Sequence, residues 1–211
     1  MREKLGIEEG KPVDWFESLY AGSDSKGDGV PWANMTTHPL FKDWLNANTL
    51  NGKGKTALVV GCGMGDDAIE LEQLGFAVTA FDVSNSAIEL CKKRFPDSAV
   101  KFVQADLLEG IPEWKGQFDF VLEIFTVQAL PPKYEKTLIQ NISDFVSKDG
   151  TLLMITEVQQ VKRVFEVGPP WLLNRDYIKK VESYGLTETF NLSNSEAEIG
   201  DEIHLTVFQR G

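Results

Sequence analysis

The sequence predicts an α/β protein with a mostly parallel β-sheet and helices on both faces. Residues 56–60, TALVV, form a mainly apolar run that stops at glycines 61, 63 and 65. Such a run is typical of a buried parallel strand that enters a tight turn and a helix. A helical stretch and a second apolar strand, ending at Asp82, follow directly. The strand, helix and second strand therefore form one βαβ unit.

The glycines of this turn allow the backbone to approach a ligand where any Cβ would collide. A dinucleotide fingerprint also requires a small residue at its sixth position, where the helix start receives a pyrophosphate. Asp66 stands there, followed by Asp67. Two carboxylates at a helix N-terminus complement its dipole and would repel a pyrophosphate, but not an amino-acid moiety that carries a sulfonium. The turn therefore favours S-adenosylmethionine over NAD or FAD.

Asp82 ends the second strand, about 20 residues beyond the first glycine, where an acid can accept both ribose hydroxyl protons. The alternative is that Asp82 only caps the turn that Val83 and Ser84 begin. An acid at this spacing after a glycine turn favours the cofactor.

On these residues, the stretch from 50 to 158 resembles the class I S-adenosylmethionine-dependent methyltransferases. The resemblance implies a Rossmann-like seven-stranded, mostly parallel sheet with an antiparallel last strand. It also implies cofactor binding by Gly61, Gly63, Gly65, Asp82 and Val83.

Asp106 ends the third strand, and the resemblance implies that it binds the exocyclic amine of adenine beside Leu107. A turn cap is again the alternative for Asp106.

The remaining elements follow in order from apolar periodicity and turn residues. We expect helices over residues 84–94, 133–147 and 174–184, the second of them ended by Lys148, Asp149 and Gly150. We expect further strands over residues 100–106, 118–123, 151–156, 186–192 and 202–209. A hairpin-like turn over residues 193–196 would join the last two strands, as the antiparallel last strand requires.

The first 50 residues carry many aromatic side chains and little strand signal. Trp15, Phe16, Leu19 and Tyr20 fall on one helical face, and a polar glycine-rich loop spans residues 21–29. Pro39 begins a second short helix. We expect a single methyltransferase domain, 1–211, in which residues 1–50 form a cover or lid over a cofactor-binding core, 51–211.

Three segments resemble the thiol, halide and thiopurine methyltransferase group: Trp15 with Pro31-Trp32 and Pro39-Leu40, the strand 118–120 that leads to Glu123, and residues 168–171, GPPW. The resemblance implies that Trp15 and Trp32 enclose the methionine end of the cofactor. It also implies an apolar acceptor pocket, bordered by Phe125, Pro169, Pro170 and Trp171. The fourth and fifth strands are also similar to those of tellurite-resistance methyltransferases.

The net charge and the cysteine content limit the kinds of molecule that the protein is expected to bind. The chain has 211 residues and a formal net charge of −11, which would repel a phosphate backbone. We therefore expect a small-molecule acceptor, no nucleic acid, no membrane, a cytoplasmic location and a monomer or homodimer. The only cysteines, Cys62 and Cys91, lack a metal-ligand spacing, so no metal is expected.

Methyl transfer to a soft nucleophile needs no strong base, in agreement with a sequence that has only two histidines. The expected acceptor is a thiol, a halide or a species derived from a chalcogen oxyanion. His38 and Glu123 are the weak catalytic candidates, and Glu123 is also expected to bind the cofactor's ammonium or an acceptor hydrogen-bond donor. The alternatives are a small oxygen or nitrogen acceptor, a non-catalytic S-adenosylmethionine-binding module and an NAD-dependent oxidoreductase, which Asp66 disfavours.

Overall fold

The computed structural model describes residues 12–159, 168–194 and 201–211. Seven strands form one sheet in the order β3-β2-β1-β4-β5-β7-β6. The strands are β1 Thr56–Val60, β2 Ala77–Asp82, β3 Lys101–Gln104, β4 Phe118–Ile124, β5 Val146–Gln159, β6 Leu186–Asn194 and β7 Asp201–Arg210.

The directions of the strands follow the expected pattern. β1 and β3 both pair with β2 in parallel, and β4 pairs with β5 in parallel. β7 runs antiparallel to both β5 and β6. The predicted α/β fold, with a mostly parallel sheet and an antiparallel last strand, is confirmed.

Six α-helices accompany the strands in the described part of the chain: α1 Asp14–Ala21, α2 Pro39–Ala47, α3 Asp66–Gln73, α4 Asn85–Arg94, α5 Glu135–Phe145 and α6 Arg175–Ile178. Short 3₁₀ turns lie at Pro112–Trp114, Val127–Ala129, Pro132–Tyr134 and Lys179–Tyr184. α3 contacts β1 and β2, while α4 contacts β2 and β3. These helices cover the strands that carry the glycine turn and Asp82.

The described residues divide into two compact units, which meet in sequence between Asp106 and Leu107. The N-terminal unit holds α1 to α4 and β1 to β3, and the C-terminal unit holds the remaining elements. A single domain over the whole chain stays a prediction.

The junction between α5 and β5 differs from the expected one. The helix ends at Phe145, and β5 begins at Val146, before the Lys-Asp-Gly stretch that was expected to separate them. Val146 pairs with Phe118, and the next regular pair joins Phe120 to Thr151. Residues 147–150 therefore bulge out of a strand that has already begun, because Val146 is fully buried and keeps its place in the ladder.

Three smaller differences concern element ends. The third strand covers only Lys101–Gln104, and the helix expected over 174–184 is α6 followed by a 3₁₀ turn. The first half of the expected hairpin turn, Ser193 and Asn194, belongs instead to β6, which pairs with β7 as far as Asn194. Ser195 and Glu196 of that turn lie outside the described residues, as does the beginning of the 1–50 cover, residues 1–11. Within the described ranges, no helix combines the length and the apolar character needed to cross a membrane.

Candidate active site

The glycine turn follows β1 directly and has an unusual backbone. Gly61, Gly63 and Gly65 have φ values of 60°, 52° and 89°. This left-handed region is costly for residues that carry a Cβ and free for glycine. The spacing of the three glycines is thus explained by the backbone that they must adopt.

Close packing gives a second reason for glycine at two of these positions. A Cβ on Gly63 would lie 3.0 Å from the hydroxyl oxygen of Tyr20. A Cβ on Gly65 would lie 3.0 Å from Sγ of Cys91 and 3.2 Å from the ring of Phe102. Both contacts are tighter than ordinary van der Waals distance, so the turn has no room for larger residues.

Asp82 holds this turn in place. Its Oδ2 accepts a 3.0 Å hydrogen bond from the backbone N–H of Gly63, and its Oδ1 accepts a 3.0 Å bond from that of Ser84. Burial raises the pKa of the Asp82 carboxyl to about 6, although these bonds act in the opposite direction. Asp82 therefore does cap the following turn, as the alternative interpretation had it, and it also binds the glycine turn. Its contact with ribose stays a prediction.

The two acidic residues that begin α3 both accept hydrogen bonds from other residues of the N-terminal unit. Asp66 receives two hydrogen bonds from the Arg94 guanidinium, at 2.7 and 2.9 Å, and Arg94 also donates to the Met64 carbonyl. Asp67 accepts a 2.8 Å bond from the backbone N–H of His38, and burial raises its pKa to about 6. Because Arg94 compensates the charge of Asp66, the expected repulsion of a pyrophosphate by this acid loses its basis.

Helix α1 is attached to the start of α4 through Glu17. The Glu17 carboxylate accepts bonds from the hydroxyls of Ser84 and Ser86, at 2.7 and 2.6 Å, and from the Ser86 backbone N–H, at 3.1 Å. A carboxylate at a helix N-terminus satisfies free N–H groups and complements the dipole. Residue Ser84 thus links the cover segment to the strand end that carries Asp82.

The aromatic residues of the cover meet above the glycine turn. Trp15 and Trp32 contact edge to face at 5.8 Å, and the indole N–H of Trp32 donates a 2.8 Å bond to the Tyr20 hydroxyl. Trp15 is buried, whereas Trp32 is 42% exposed. The structure therefore brings Trp15, Trp32 and Gly63 into one neighbourhood, while their role in cofactor binding stays a prediction.

Tyr20 is the residue of this neighbourhood that sequence reasoning missed. It is buried beside Gly63, and burial together with the nearby Asp82 charge raises the pKa of its hydroxyl well above the usual value. The sequence signal was only its place on the apolar face of α1, which is equally typical of a core tyrosine. The polar contact to Trp32 could not be read from that pattern.

The other expected cofactor residues lie near the ends of β2 and β3. Val83 is half-buried, and its carbonyl accepts a 3.1 Å bond from the Gln104 side chain. Asp106 follows β3 and is half-buried. Leu107 is buried and belongs to the C-terminal unit, where its carbonyl accepts a 2.7 Å bond from Asn141. Their contacts with a cofactor stay predictions.

His38, one of the two catalytic candidates, stands at the residue before α2. Its backbone N–H donates to the Asp67 carboxylate, and burial lowers the pKa of its imidazole. This placement agrees with the structural role of a helix start, and the structure gives no separate support for a role as a base.

Glu123, the other candidate, is completely buried near the carboxyl end of β4. Its Oε1 accepts bonds from the backbone N–H groups of Thr126 and Val127, at 2.7 and 3.0 Å. Its Oε2 is buried and has no hydrogen-bond partner among the described residues. Desolvation raises the pKa of this carboxyl to about 7.

The turn after β4 joins Glu123 to the expected acceptor segment. Phe125 has a φ of 58°, a conformation that bulky residues rarely adopt. Gln128 accepts a 2.7 Å bond from the Glu157 backbone and donates a 3.0 Å bond to its carboxylate. The Gln128 carbonyl accepts a 2.7 Å bond from the backbone N–H of Trp171. Gln128 thus ties Trp171 to β5 within the C-terminal unit, and the N–H of Phe125 bonds separately to the Ile155 carbonyl of the same strand.

The residues of segment 168–171 differ from one another in how deeply they are buried. Trp171 is 1% exposed and packs so closely on Gly168 that a Cβ there would lie 2.5 Å from its ring. Pro169 is half-buried and Pro170 is exposed. Trp171 is a core residue of the C-terminal unit, and an acceptor pocket formed with Pro169 and Pro170 stays a prediction.

The raised pKa of Glu123 predicts a pH dependence of stability. The native carboxyl titrates near 7 instead of 4.5, so between these values the native state binds more protons than the unfolded state. The free energy of unfolding must therefore fall as pH rises through this window. We expect Glu123→Gln to gain stability relative to the wild type by up to about 3 kcal/mol between about pH 4.5 and about pH 8. Urea unfolding at several pH values measures this; a constant difference would contradict the buried-carboxyl assignment.

The aromatic neighbourhood of Gly63 predicts that the cover responds to the cofactor. Hydrogen exchange in residues 12–32 should slow when S-adenosylhomocysteine is added, because a ligand at the turn would restrain Trp32 and Tyr20. Strand β6 serves as the internal reference. Equal protection with and without the ligand would mean that the segment is a static cover.

Comparisons with known proteins agree with this architecture. Residues 57–150 match a family described as a methyltransferase domain. Carboxy-S-adenosyl-L-methionine synthase of Wolinella succinogenes is 26% identical over 205 residues, which are 93% of this chain and 82% of that protein. The synthase of the same name from Methylococcus capsulatus is 27% identical, and the match covers 56% of this chain and 48% of that protein. The chain thus spans about half the length of the latter relative.

Thiocyanate methyltransferase 1 of Brassica oleracea is 24% identical over 131 residues, or 61% of this chain and 57% of that protein. Among solved structures, one described as "Conversion of a Disulfide Bond into a Thioacetal Group during Echinomycin Biosynthesis" superimposes with a TM-score of 0.72 at 19% identity, covering 92% of this chain and 91% of the other. A methyltransferase from Methanosarcina mazei, described as SAM-dependent, has a TM-score of 0.64 at 15% identity, with 83% and 98% covered. The family match over residues 57–150, the relatives and the seven-stranded fold thus show that this chain is similar to S-adenosylmethionine-dependent methyltransferases.

Proposed function

We propose that this chain transfers a methyl group from S-adenosylmethionine to a small, soft nucleophile: a thiol, a halide or a chalcogen species. The proposed binding of S-adenosylmethionine is supported by the glycine turn, which Asp82 holds in place. Three left-handed glycines, a buried carboxylate and an aromatic cover occur together in the N-terminal unit.

The residues of this turn fit the cofactor. A Cβ at Gly63 would fill the space beside Tyr20, and backbone N–H groups and the Asp82 carboxylate are the donors and acceptors that a nucleoside with an amino-acid tail requires. Asp82 and Val83 would hold the ribose, Asp106 and Leu107 the adenine, and Trp15, Trp32 and the glycines the methionine end. When bound, the cofactor supplies a methyl group on a sulfonium, already activated for displacement.

The work left to the protein is alignment and exclusion of water. Glu17 and Tyr20 fix the cover on the N-terminal unit, and Trp32 would close on the ligand from its exposed position. Residues 1–50 would act as this cover within a single domain, 1–211, in a monomer or homodimer. We place the reaction in the cytoplasm.

The proposal of a soft nucleophile as methyl acceptor rests on the apolar residues around the turn that carries Phe125. The turn that carries Phe125 is flanked by Val127 and Leu130, both buried, and is tied to the core residue Trp171. An apolar lining favours an acceptor that sheds its water readily, such as a thiol or iodide. The similarity to thiocyanate methyltransferase 1 supports this class. The net charge of −11 gives a polyanionic acceptor no attraction.

The test is incubation with methyl-labelled cofactor and a panel of acceptors. Headspace gas chromatography detects products from iodide and hydrosulfide, and liquid chromatography detects methylated aromatic and aliphatic thiols. We expect transfer to thiols or halides above a reaction without enzyme. Turnover of a larger oxygen or nitrogen acceptor alone would overturn the acceptor class, and cofactor binding without any transfer would favour a non-catalytic module.

A second candidate follows from the match over 93% of the chain to a carboxy-S-adenosyl-L-methionine synthase. A chain with that activity would alter the cofactor itself. Mass spectrometry of the recovered nucleosides decides between the two: a heavier sulfonium nucleoside favours the synthase, and S-adenosylhomocysteine with a methylated acceptor favours the methyltransferase.

A further inference from the structure

The Glu17 side chain of α1 uses both of its oxygens at the start of α4. Oε2 accepts hydrogen bonds from the Ser84 hydroxyl at 2.7 Å and the Ser86 backbone N–H at 3.1 Å, and Oε1 accepts one from the Ser86 hydroxyl at 2.6 Å. Burial acts to raise the pKa of Glu17, but the bonds from Ser86 and Ser84 outweigh it and lower the pKa below its usual value. Glu17 is therefore ionised at neutral pH, and hydrogen bonds to an ionised group are the stronger kind.

Ser84 connects this contact to Asp82. The Ser84 hydroxyl donates to Glu17 and accepts a 3.1 Å bond from the Ala87 backbone N–H. The backbone N–H of Ser84 donates a 3.0 Å bond to Oδ1 of Asp82. Because a hydroxyl has a single proton, Glu17 is the acceptor that fixes its direction. The placement of completely buried Ser84, and with it one of the bonds that hold the Asp82 carboxylate, therefore depends on Glu17.

A second path leads from Glu17 to the glycine turn. Tyr20 lies three residues further along α1, so the two side chains are neighbours on one face of the helix. The Tyr20 hydroxyl is next to the turn, 3.0 Å from the place that a Cβ on Gly63 would take. The Gly63 N–H donates a 3.0 Å bond to Oδ2 of Asp82. The two paths meet at Asp82, and all residues on them belong to the N-terminal unit.

A cap for α4 is the simpler role for Glu17, because a carboxylate at a helix start accepts bonds from free N–H groups. However, α4 already has a side-chain cap, since Ser84 accepts a bond from Ala87. The partners of Glu17 lie 67 and 69 positions away in the chain, so its bonds tie α1 to α4. A cap alone affects only the stability of the chain, whereas a tie between α1 and Asp82 also affects what the turn binds.

We propose that Glu17 is a positioning residue for cofactor binding, whose bonds to Ser84 and Ser86 hold α1 beside the glycine turn and keep the Asp82 carboxylate in place for the ribose hydroxyls; this rests on the function proposed above. Glu17 needs no contact with the cofactor. It acts on Asp82 through Ser84, and on the turn through Tyr20.

The charge of Glu17 gives this role a signature in the pH dependence of binding. Burial raises the pKa of Asp82 to about 6, and the negative charge of Glu17 adds to this rise. Among the described residues, Tyr20 and Cys62 also interact with Asp82, but their pKa values are raised well above the usual ones, so both are neutral at neutral pH. Without the charge of Glu17, the pKa of Asp82 falls. Because the ribose hydroxyls require the ionised form, the loss of affinity in acid then begins at a lower pH.

Glu17→Gln removes the charge and keeps the size of the side chain and one acceptor oxygen. At about pH 8, we expect its dissociation constant for S-adenosylhomocysteine to be about tenfold higher than that of the wild type, as for the loss of one hydrogen bond to a charged group. The loss of affinity in acid, expected near the Asp82 pKa of about 6 in the wild type, should move to lower pH. Calorimetric titration between about pH 5 and about pH 8 measures both effects.

Glu89→Gln is the matched control. Glu89 is an exposed glutamate of α4 and bonds to Lys92 of the same helix at 2.9 Å. This variant removes one negative charge from the N-terminal unit without touching the tie to α1. It should keep both the wild-type affinity and the wild-type pH dependence.

Ser84→Ala tests the path from Glu17 to Asp82, because it removes the hydroxyl and retains the backbone N–H. Two changes on one path are not independent, so the double variant, Glu17→Gln with Ser84→Ala, should lose less affinity than the product of the two single losses. A loss equal to that product would overturn the proposed path.

An unchanged affinity of Glu17→Gln, or a loss of affinity in acid at the same pH as in the wild type, would overturn the proposal. Glu17 would then be a helix cap, whose loss is visible only in urea unfolding. If the wild type does not bind S-adenosylhomocysteine at any pH, the proposed cofactor site itself fails, and the role of Glu17 fails with it.

Discussion

Gly63→Val should abolish measurable binding of S-adenosylhomocysteine. The valine Cβ would lie 3.0 Å from the Tyr20 hydroxyl, in a backbone conformation, φ 52°, that β-branched residues avoid. The side chain would also displace the Gly63 N–H from Asp82. We expect a loss of at least 100-fold, or about 3 kcal/mol. Calorimetric titration of the folded variant measures it.

Gly54→Val is the control for backbone strain alone. Gly54 also has a positive φ, 76°, but a Cβ there would meet nothing within 4 Å. This variant should lose some stability, about 1 kcal/mol or more, and retain its affinity for the ligand. If Gly63→Val bound as tightly as the control, the glycine turn would not be the cofactor site.

Asp82→Ala should weaken cofactor binding by roughly 2 to 4 kcal/mol, which is about 30-fold to 1,000-fold. The side chain has two tasks: it accepts hydrogen bonds from Gly63 and Ser84 at 3.0 Å each, and we predict that it binds the ribose hydroxyls. Alanine removes both. Calorimetry with S-adenosylmethionine and S-adenosylhomocysteine gives the two dissociation constants, and unchanged values would refute the assignment.

Asp82→Asn separates charge from shape. Asparagine retains one acceptor oxygen, so the glycine turn should keep part of its support while the charge-assisted bonds are lost. We expect an intermediate affinity. The wild-type affinity should also decrease as pH falls below about 6, where the Asp82 carboxyl becomes protonated, and the asparagine variant should lack this decrease.

The sequence predicted the fold well because its information is local. A run of apolar residues, three glycines and a second apolar run predict β1, the glycine turn and β2. All three lie within 27 residues, from the start of β1, Thr56–Val60, to the end of β2, Ala77–Asp82. Parallel strands buried on both faces are mostly apolar, so their pattern is visible without any knowledge of their neighbours.

The contacts that shape the site are not local, and this is why sequence reasoning missed them. Glu17 binds residues 67 and 69 positions further along the chain, and Arg94 binds Asp66 across 28 positions. A charged residue on a helix gives no sign of its distant partner. The repulsion argument from Asp66 failed for this reason, although the family comparison supports the same cofactor.

Phe125 shows a different limit. A positive φ is expected at glycine or asparagine, and nothing in the letters around a phenylalanine indicates it. The conformation is imposed by Glu123, whose Oε1 holds the two following N–H groups, and by Ile155 of the neighbouring strand. Likewise, the early start of β5 depends on the pairing of Val146 with Phe118, which only the folded sheet provides.

The place of β7 in the sheet has a consequence for synthesis. β7 follows β6 along the chain but lies between β5 and β6, and it pairs with β5 over nine residues from Thr151 to Gln159. On a ribosome that adds roughly 5 to 20 residues per second, the edge of β5 stays unpaired until residues 201–210 emerge. An exposed edge of this length is an attachment point for other chains. Nascent chains stalled before residue 201 should therefore recruit chaperones or aggregate, while those released after Arg210 should not.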